Sequence, residues 1–192
     1  GIQGLDLLEE PVGLLALTGR DLDDHLVGDP EMGLGQFLGT LEVGRISIAA
    51  LSLSLTQAVL DIRQAAAWLS AQEEVDSRQL GIMGISLGGI TSALACSVEP
   101  RFHKACLILA GGDMGEVAWT SEELAPLRKH WIDSGGTKEE LFALFKAVDP
   151  IEYARPVPGR KILMLNARHD EVVPPACTEA LWRAFGEPRI IW

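Results

Sequence analysis

Apolar positions along this chain fall into two kinds of run, and each kind predicts a different element. Residues 79–85, 104–110 and 161–167 are short runs, apolar nearly throughout, the pattern of strands covered on both faces. Residues 189–192 read as a further strand, and residues 4–10 as a short one stopped by Pro11. Between them, apolar positions recur at helical spacing. Val59, Ile62, Ala66 and Leu69 predict a helix over residues 56–71, with Ser54 and Gln57 as a capping box at its start. An Ala-rich helix is expected from residue 87 to Val98, and Pro174-Pro175 opens another that runs to about Phe185. Residues 116–147 are helical in composition, with a break at Gly135-Gly136. Two stretches resist this sorting. Residues 46–55 alternate apolar and small positions (Ile46, Ile48, Leu51, Leu53, Leu55), which fits a period-two strand and equally a helix reaching back from the next segment. Residues 18–44, rich in Gly and Asp, read as a long irregular connection.

Apolar strands alternating with amphipathic helices predict an α/β fold, a mostly parallel sheet with helices on both faces. The 192 residues are expected to form one domain, with residues 113–150 as a short helical lid or insertion within it. Trp119, Trp131, Phe142 and Phe145 in that segment fit a pocket lining and a plain core role equally well.

Composition narrows the function. Apolar residues make up 47% and charged residues 22%, which excludes a disordered chain. Sixteen Lys and Arg against 27 Asp and Glu leave a net charge of −11, which disfavours nucleic acid and anionic membrane as partners. The uncharged stretch at residues 46–60 is interrupted by Ser47, Ser52, Ser54, Thr56 and Gln57, and a membrane span needs about 20 mostly apolar residues. Three scattered cysteines (Cys96, Cys106, Cys177) make no disulfide framework and no paired zinc motif, the usage of a reducing, cytoplasmic compartment. No phosphate-cradling loop and no metal-ligand cluster is visible, so neither cofactor nor metal is expected.

Two segments carry chemistry. Gly84-Ile85-Ser86-Leu87-Gly88 falls where an apolar strand gives way to an Ala-rich helix. As a bare string it is weak. In that setting it reads as a nucleophile elbow: Ser86 sits in strained backbone on a sharp turn with its hydroxyl exposed. The elbow glycines Gly84 and Gly88 leave room for the neighbouring strand and helix, and the Leu87 N–H faces a developing oxyanion at the helix N-terminus. The competing reading is a glycine-rich turn with an incidental serine. The second segment, residues 166–175, places Asp170 just past the C-terminal end of a strand, the edge where α/β folds build sites. Asp170 there orients a catalytic imidazole or simply favours the helix dipole, and Glu171 is the alternative acid.

These two segments, together with residues 61–69, resemble the α/β-hydrolase superfamily, in particular its dienelactone-hydrolase-like, esterase and acyl-peptidase-like branches. The resemblance covers residues 55–192 well and the first fifty poorly. It implies a serine hydrolase that cleaves a small-molecule carboxylic ester or related acyl substrate, with Ser86 as nucleophile, Leu87 as one oxyanion donor and Asp170 as acid. A peptidase or thioesterase shares every one of these parts, and an inactive homologue serving as a binding module is the alternative outside enzymes. In that family the base is a histidine following the acid. Here His25, His103, His130 and His169 all precede Asp170. The resemblance therefore implies a chain trimmed at both ends and catalytically incomplete as given. Nothing in the sequence indicates an oligomeric state.

Overall fold

The computed structural model describes residues 48–192, with side chains from Ala50 onward. The strand expected at residues 4–10, the connection at 18–44 and His25 lie outside the described residues. Helix α1 (Ile48–Ser70) leads into a one-turn 3-10 helix (Ser77–Gln79) and strand β1 (Gly81–Ile85). Helix α2 (Leu87–Val98) and β2 (Lys104–Ile108) follow, then four helices: α3 (Met114–Thr120), α4 (Ala125–Asp133), α5 (Lys138–Lys146) and α6 (Pro150–Tyr153). β3 (Lys161–Leu165), α7 (Pro175–Ala184) and β4 (Arg189–Ile191) complete the order. All four strands are parallel and lie in sequence order, β1-β2-β3-β4, with Gly81 level with Lys104 and Lys104 level with Lys161.

The ambiguous segment is helical from Ile48. Leu51 packs against the core and Leu55 is buried within it, whereas Leu53, which a strand would have placed on their side, is 70% exposed. Because the helix begins this early, the capping box expected at Ser54 and Gln57 does not form. Ser54 is mid-helix, its hydroxyl donating to the Ala50 carbonyl at 2.8 Å, and the Gln57 amide donates to Asp61 at 2.8 Å. A residue inside a helix has no free N–H ahead of it to cap. A true capping box sits instead at the start of α5, where Thr137 and Glu140 satisfy each other's backbone N–H groups.

α1 and α2 pack together, and α2 lies on β1 and β2. Ala93, Ala95, Cys96, Leu107 and Met164 form the fully buried centre. The segment after β2 belongs to the same core: Met114, Val117, Leu141 and Phe145 are all buried in it, and Trp119, Trp131 and Phe142 are half-buried against it. At the N-terminal edge of the sheet, Glu99 is 2% exposed and pairs with Arg101 at 3.2 Å and Arg63 at 3.4 Å, tying the end of α2 to α1. Burying that carboxylate is tolerable only because both cations and the Arg101 N–H compensate its lost hydration. Among the described residues, no helix is long and apolar enough to cross a membrane.

Candidate active site

A parallel sheet gathers its strand C-termini at one edge, and three chain turns there concern the chemistry. At the first, Ser86 links β1 to α2 with φ 53° and ψ −121°, a backbone conformation that side chains disfavour. Neighbours hold it there. The Ser86 N–H donates to the Ile108 carbonyl at 2.8 Å, and the Ser86 carbonyl accepts from the Ile90 N–H at 3.0 Å. The tightness of the turn explains the glycines. A Cβ on Gly84 would stand 2.1 Å from the Gly88 carbonyl oxygen, so strand and helix touch backbone to backbone at this point. Gly89, whose role the sequence pattern did not single out, is needed as well: its Cβ would meet the Ile108 oxygen at 2.7 Å. Ser86 is half-buried, and its hydroxyl makes no hydrogen bond among the described residues. The N–H of Leu87, first residue of α2, is likewise unbonded among them and lies at the positive end of the helix dipole.

The second turn follows β3. Asp170 Oδ1 accepts from the N–H groups of Val172 at 2.9 Å and Val173 at 2.8 Å, which shapes the loop ahead of α7. Its Oδ2 is left free of hydrogen bonds among the described residues, and the side chain is half-buried. Glu171 is exposed and unbonded there. Because β2 lies between β1 and β3, Ser86 and Asp170 stand on the same edge two strands apart.

The third turn follows β2. Leu109 (φ 50°) and Asp113 (φ 54°) both adopt left-handed backbone. Asp149, 4% exposed, accepts from the N–H groups of Asp113, Met114 and Ile151, capping α3 and α6 together. Burial nevertheless pushes its carboxyl above the ordinary value, outweighing the three donors. Behind this turn Asn166 and Thr178 share the Ala110 carbonyl, a buried cluster that no sequence pattern indicated. The one visible sign was an amide ending an otherwise apolar strand run.

No histidine among the described residues bonds to Ser86 or Asp170. His103 lies just before β2 at the opposite edge, His130 is exposed on α4, and His169 is exposed beside Asp170. Burial pushes the thiols of Cys96 and Cys177 up to about 12, far from the thiolate that a cysteine nucleophile needs. Two cavities, about 330 and 380 Å³, lie at the N-terminal edge around Arg160 and Arg101 respectively, and neither is lined by Ser86 or Asp170. Among the described residues, no group of three His, Cys, Asp or Glu side chains is placed to hold a metal ion.

Known proteins share this architecture. The acetyl xylan esterase 1 of Thermoanaerobacterium sp. superposes with a TM-score of 0.60 at 22% identity, over 70% of this chain and 44% of that one, which shows an α/β-hydrolase fold. An uncharacterized protein of Mycobacterium tuberculosis is 30% identical over 139 residues, 71% of this chain and 32% of its own. This chain thus spans about a third of that relative's length. A stretch of 37 residues, 19% of this chain, is 60% identical to part of a probable acyl-CoA dehydrogenase of Bacillus subtilis, 10% of that protein. Residues 53–187, which include the Ser86 elbow and the Asp170 turn, match the prolyl oligopeptidase family, and the chain belongs to it.

Proposed function

We propose that this chain carries the nucleophile and the acid of a serine hydrolase that cleaves carboxylic esters or related acyl bonds. The observation that carries the reading is Ser86 itself: a serine in strained backbone between a strand and a helix, with a hydroxyl unbonded among the described residues. Such strain persists only where the surroundings impose it, and it concentrates at functional sites. In this mechanism Ser86 Oγ attacks the acyl carbon while a histidine takes its proton. The Leu87 N–H accommodates the charge on the carbonyl oxygen, the leaving group departs with the proton, and water then hydrolyses the acyl-enzyme. The free Oδ2 of Asp170 holds the imidazole in the required tautomer. In the order serine, acid, histidine the base follows β4. The helical segment 113–150 leaves the sheet on the edge of Ser86 and forms one wall around the acyl group. The substrate is a small molecule, no cofactor takes part, and nucleic acid and membrane are not partners.

A peptidase uses the same parts, and the family match favours that second reading for the bond cleaved. The test is reaction of the full-length protein with a fluorophosphonate probe, with mapping of the modified residue. Labelling at Ser86 that disappears in Ser86→Ala is expected. Labelling elsewhere moves the nucleophile, and no labelling at all leaves an inactive homologue used for binding. Turnover of p-nitrophenyl esters against aminoacyl p-nitroanilides then separates esterase from peptidase.

A further inference from the structure

The loop that carries Asp170 begins at Asn166 and ends at Thr178, and both stems are tied to one backbone oxygen. Asn166 Nδ2 donates to the Ala110 carbonyl at 2.8 Å, and Thr178 Oγ1 donates to the same carbonyl at 3.0 Å. Asn166 Nδ2 also reaches Thr178 Oγ1 at 3.0 Å, which closes a triangle of three buried groups. Thr178 is 1% exposed and Asn166 7%. The backbone N–H of Asn166 donates to Ile191 on β4 at 2.9 Å, so the same residue also anchors the next strand.

Ala110 belongs to the short segment that separates the two halves of the candidate site. On one side, the elbow hangs from it through the Ser86 N–H to Ile108 bond. On the other, the acid turn leans on it: a Cβ on Gly111 would lie 2.6 Å from the Val173 side chain, whose own N–H is held by Asp170. The Gly112 N–H donates to Cys177 at 3.0 Å, and the Leu109 N–H to Leu165 at 2.8 Å. Residues 108–112 therefore act as a spacer between Ser86 and the Asp170 loop.

We propose that Asn166 and Thr178 are positioning residues that set the distance from Asp170 to Ser86 by clamping both stems of the acid loop to this spacer. The inference rests on the reading of Ser86 and Asp170 as nucleophile and acid. An independent observation argues against a purely stabilising role for the amide. Asn166 Oδ1 is buried and has no hydrogen-bond partner among the described residues. A buried acceptor left unsatisfied is destabilising, so stability alone favours an apolar side chain here. What the amide adds is its pair of donors, and those donors fix geometry.

The experiment uses full-length protein whose Ser86 labelling has first been checked. Asn166→Leu removes the orphaned oxygen together with both donors, while Ala110 keeps its bond from Thr178. This variant should melt close to the wild type, yet kcat should fall about 10- to 100-fold with KM little changed, the range for a displaced reacting group. Thr178→Val, which exchanges only the hydroxyl, should lose kcat in the same manner, and Thr178→Ser should restore it. In an Asp170→Asn background the same substitutions should add little, because the group they position is already lost. Losses of equal size in both backgrounds, or an unchanged kcat in Thr178→Val, overturn the proposal. Should Asn166→Leu not fold, the two Thr178 variants decide the matter alone. A wild type that the probe does not label overturns the functional reading and this one with it, whereas a labelled wild type with additive losses overturns only this one.

Discussion

Replacing Gly84 by alanine adds one methyl group at the tightest point of the elbow. The new Cβ would stand 2.1 Å from the Gly88 oxygen, 2.4 Å from the Gly88 carbonyl carbon and 2.6 Å from the Ser92 hydroxyl. Two of these three atoms are backbone in the first turn of α2, and a backbone atom has no alternative rotamer. Relief therefore requires the whole helix to slide away from β1, which breaks its packing on β1 and β2. Overpacking typically costs 1–3 kcal/mol, and with no side chain able to give way the expected loss is about 3 kcal/mol or more. For a protein of this size that corresponds to a Tm lower by roughly 6–12 °C. Gly81 on the same strand is the control. Its added Cβ would meet Lys104 at 3.5 Å, ordinary contact, so Gly81→Ala should be neutral or stabilise by about 0.4–1 kcal/mol through the unfolded chain. Thermal unfolding followed by far-UV circular dichroism measures both variants. If Gly84→Ala melts within about a degree of the wild type, strand and helix are not in the contact described and the account of the elbow is wrong.

Two further substitutions probe strain and charge. Ser86→Gly relieves the positive φ, worth about 1–3 kcal/mol, against a loss of about 0.4–1 kcal/mol from the freer unfolded chain. The variant should therefore be more stable by about 1 kcal/mol while losing all probe labelling; a lower Tm contradicts the strain argument. Asp149 tests pH dependence. Its folded pKa is raised by burial, so its contribution to stability is complete below the ordinary carboxylate value of about 3.9 and is lost as pH rises through the raised value. Asp149→Asn abolishes that titration, so its urea midpoint should decline less than that of the wild type from acid to neutral pH, and parallel curves refute the assignment.

What the amino-acid order settles by itself here is local. The elbow was legible because its cause is steric and contained within a few residues: glycine at 84 and 88 around a serine, between an apolar run and an Ala-rich stretch, leaves the backbone few other paths. The strand positions and the Pro174-Pro175 start of α7 were legible for the same reason, but not their burial: β1, expected to be covered on both faces, leaves Met83 50% and Ile85 44% exposed. Residues 46–55 were not, because Leu51, Leu53 and Leu55 satisfy a two-residue and a helical period alike, and only the packing of Leu51 and Leu55 with Leu53 left in solvent decides between them. Misplacing the helix start made Ser54 look like a cap. The acid loop shows the limit most clearly. Asp170 could be proposed from its place after a strand, but the clamp around it joins Ala110 to residues 56 and 68 positions away. Donor and acceptor at such separations meet only after the sheet has brought β2, β3 and α7 together, and no periodicity in the sequence encodes that meeting.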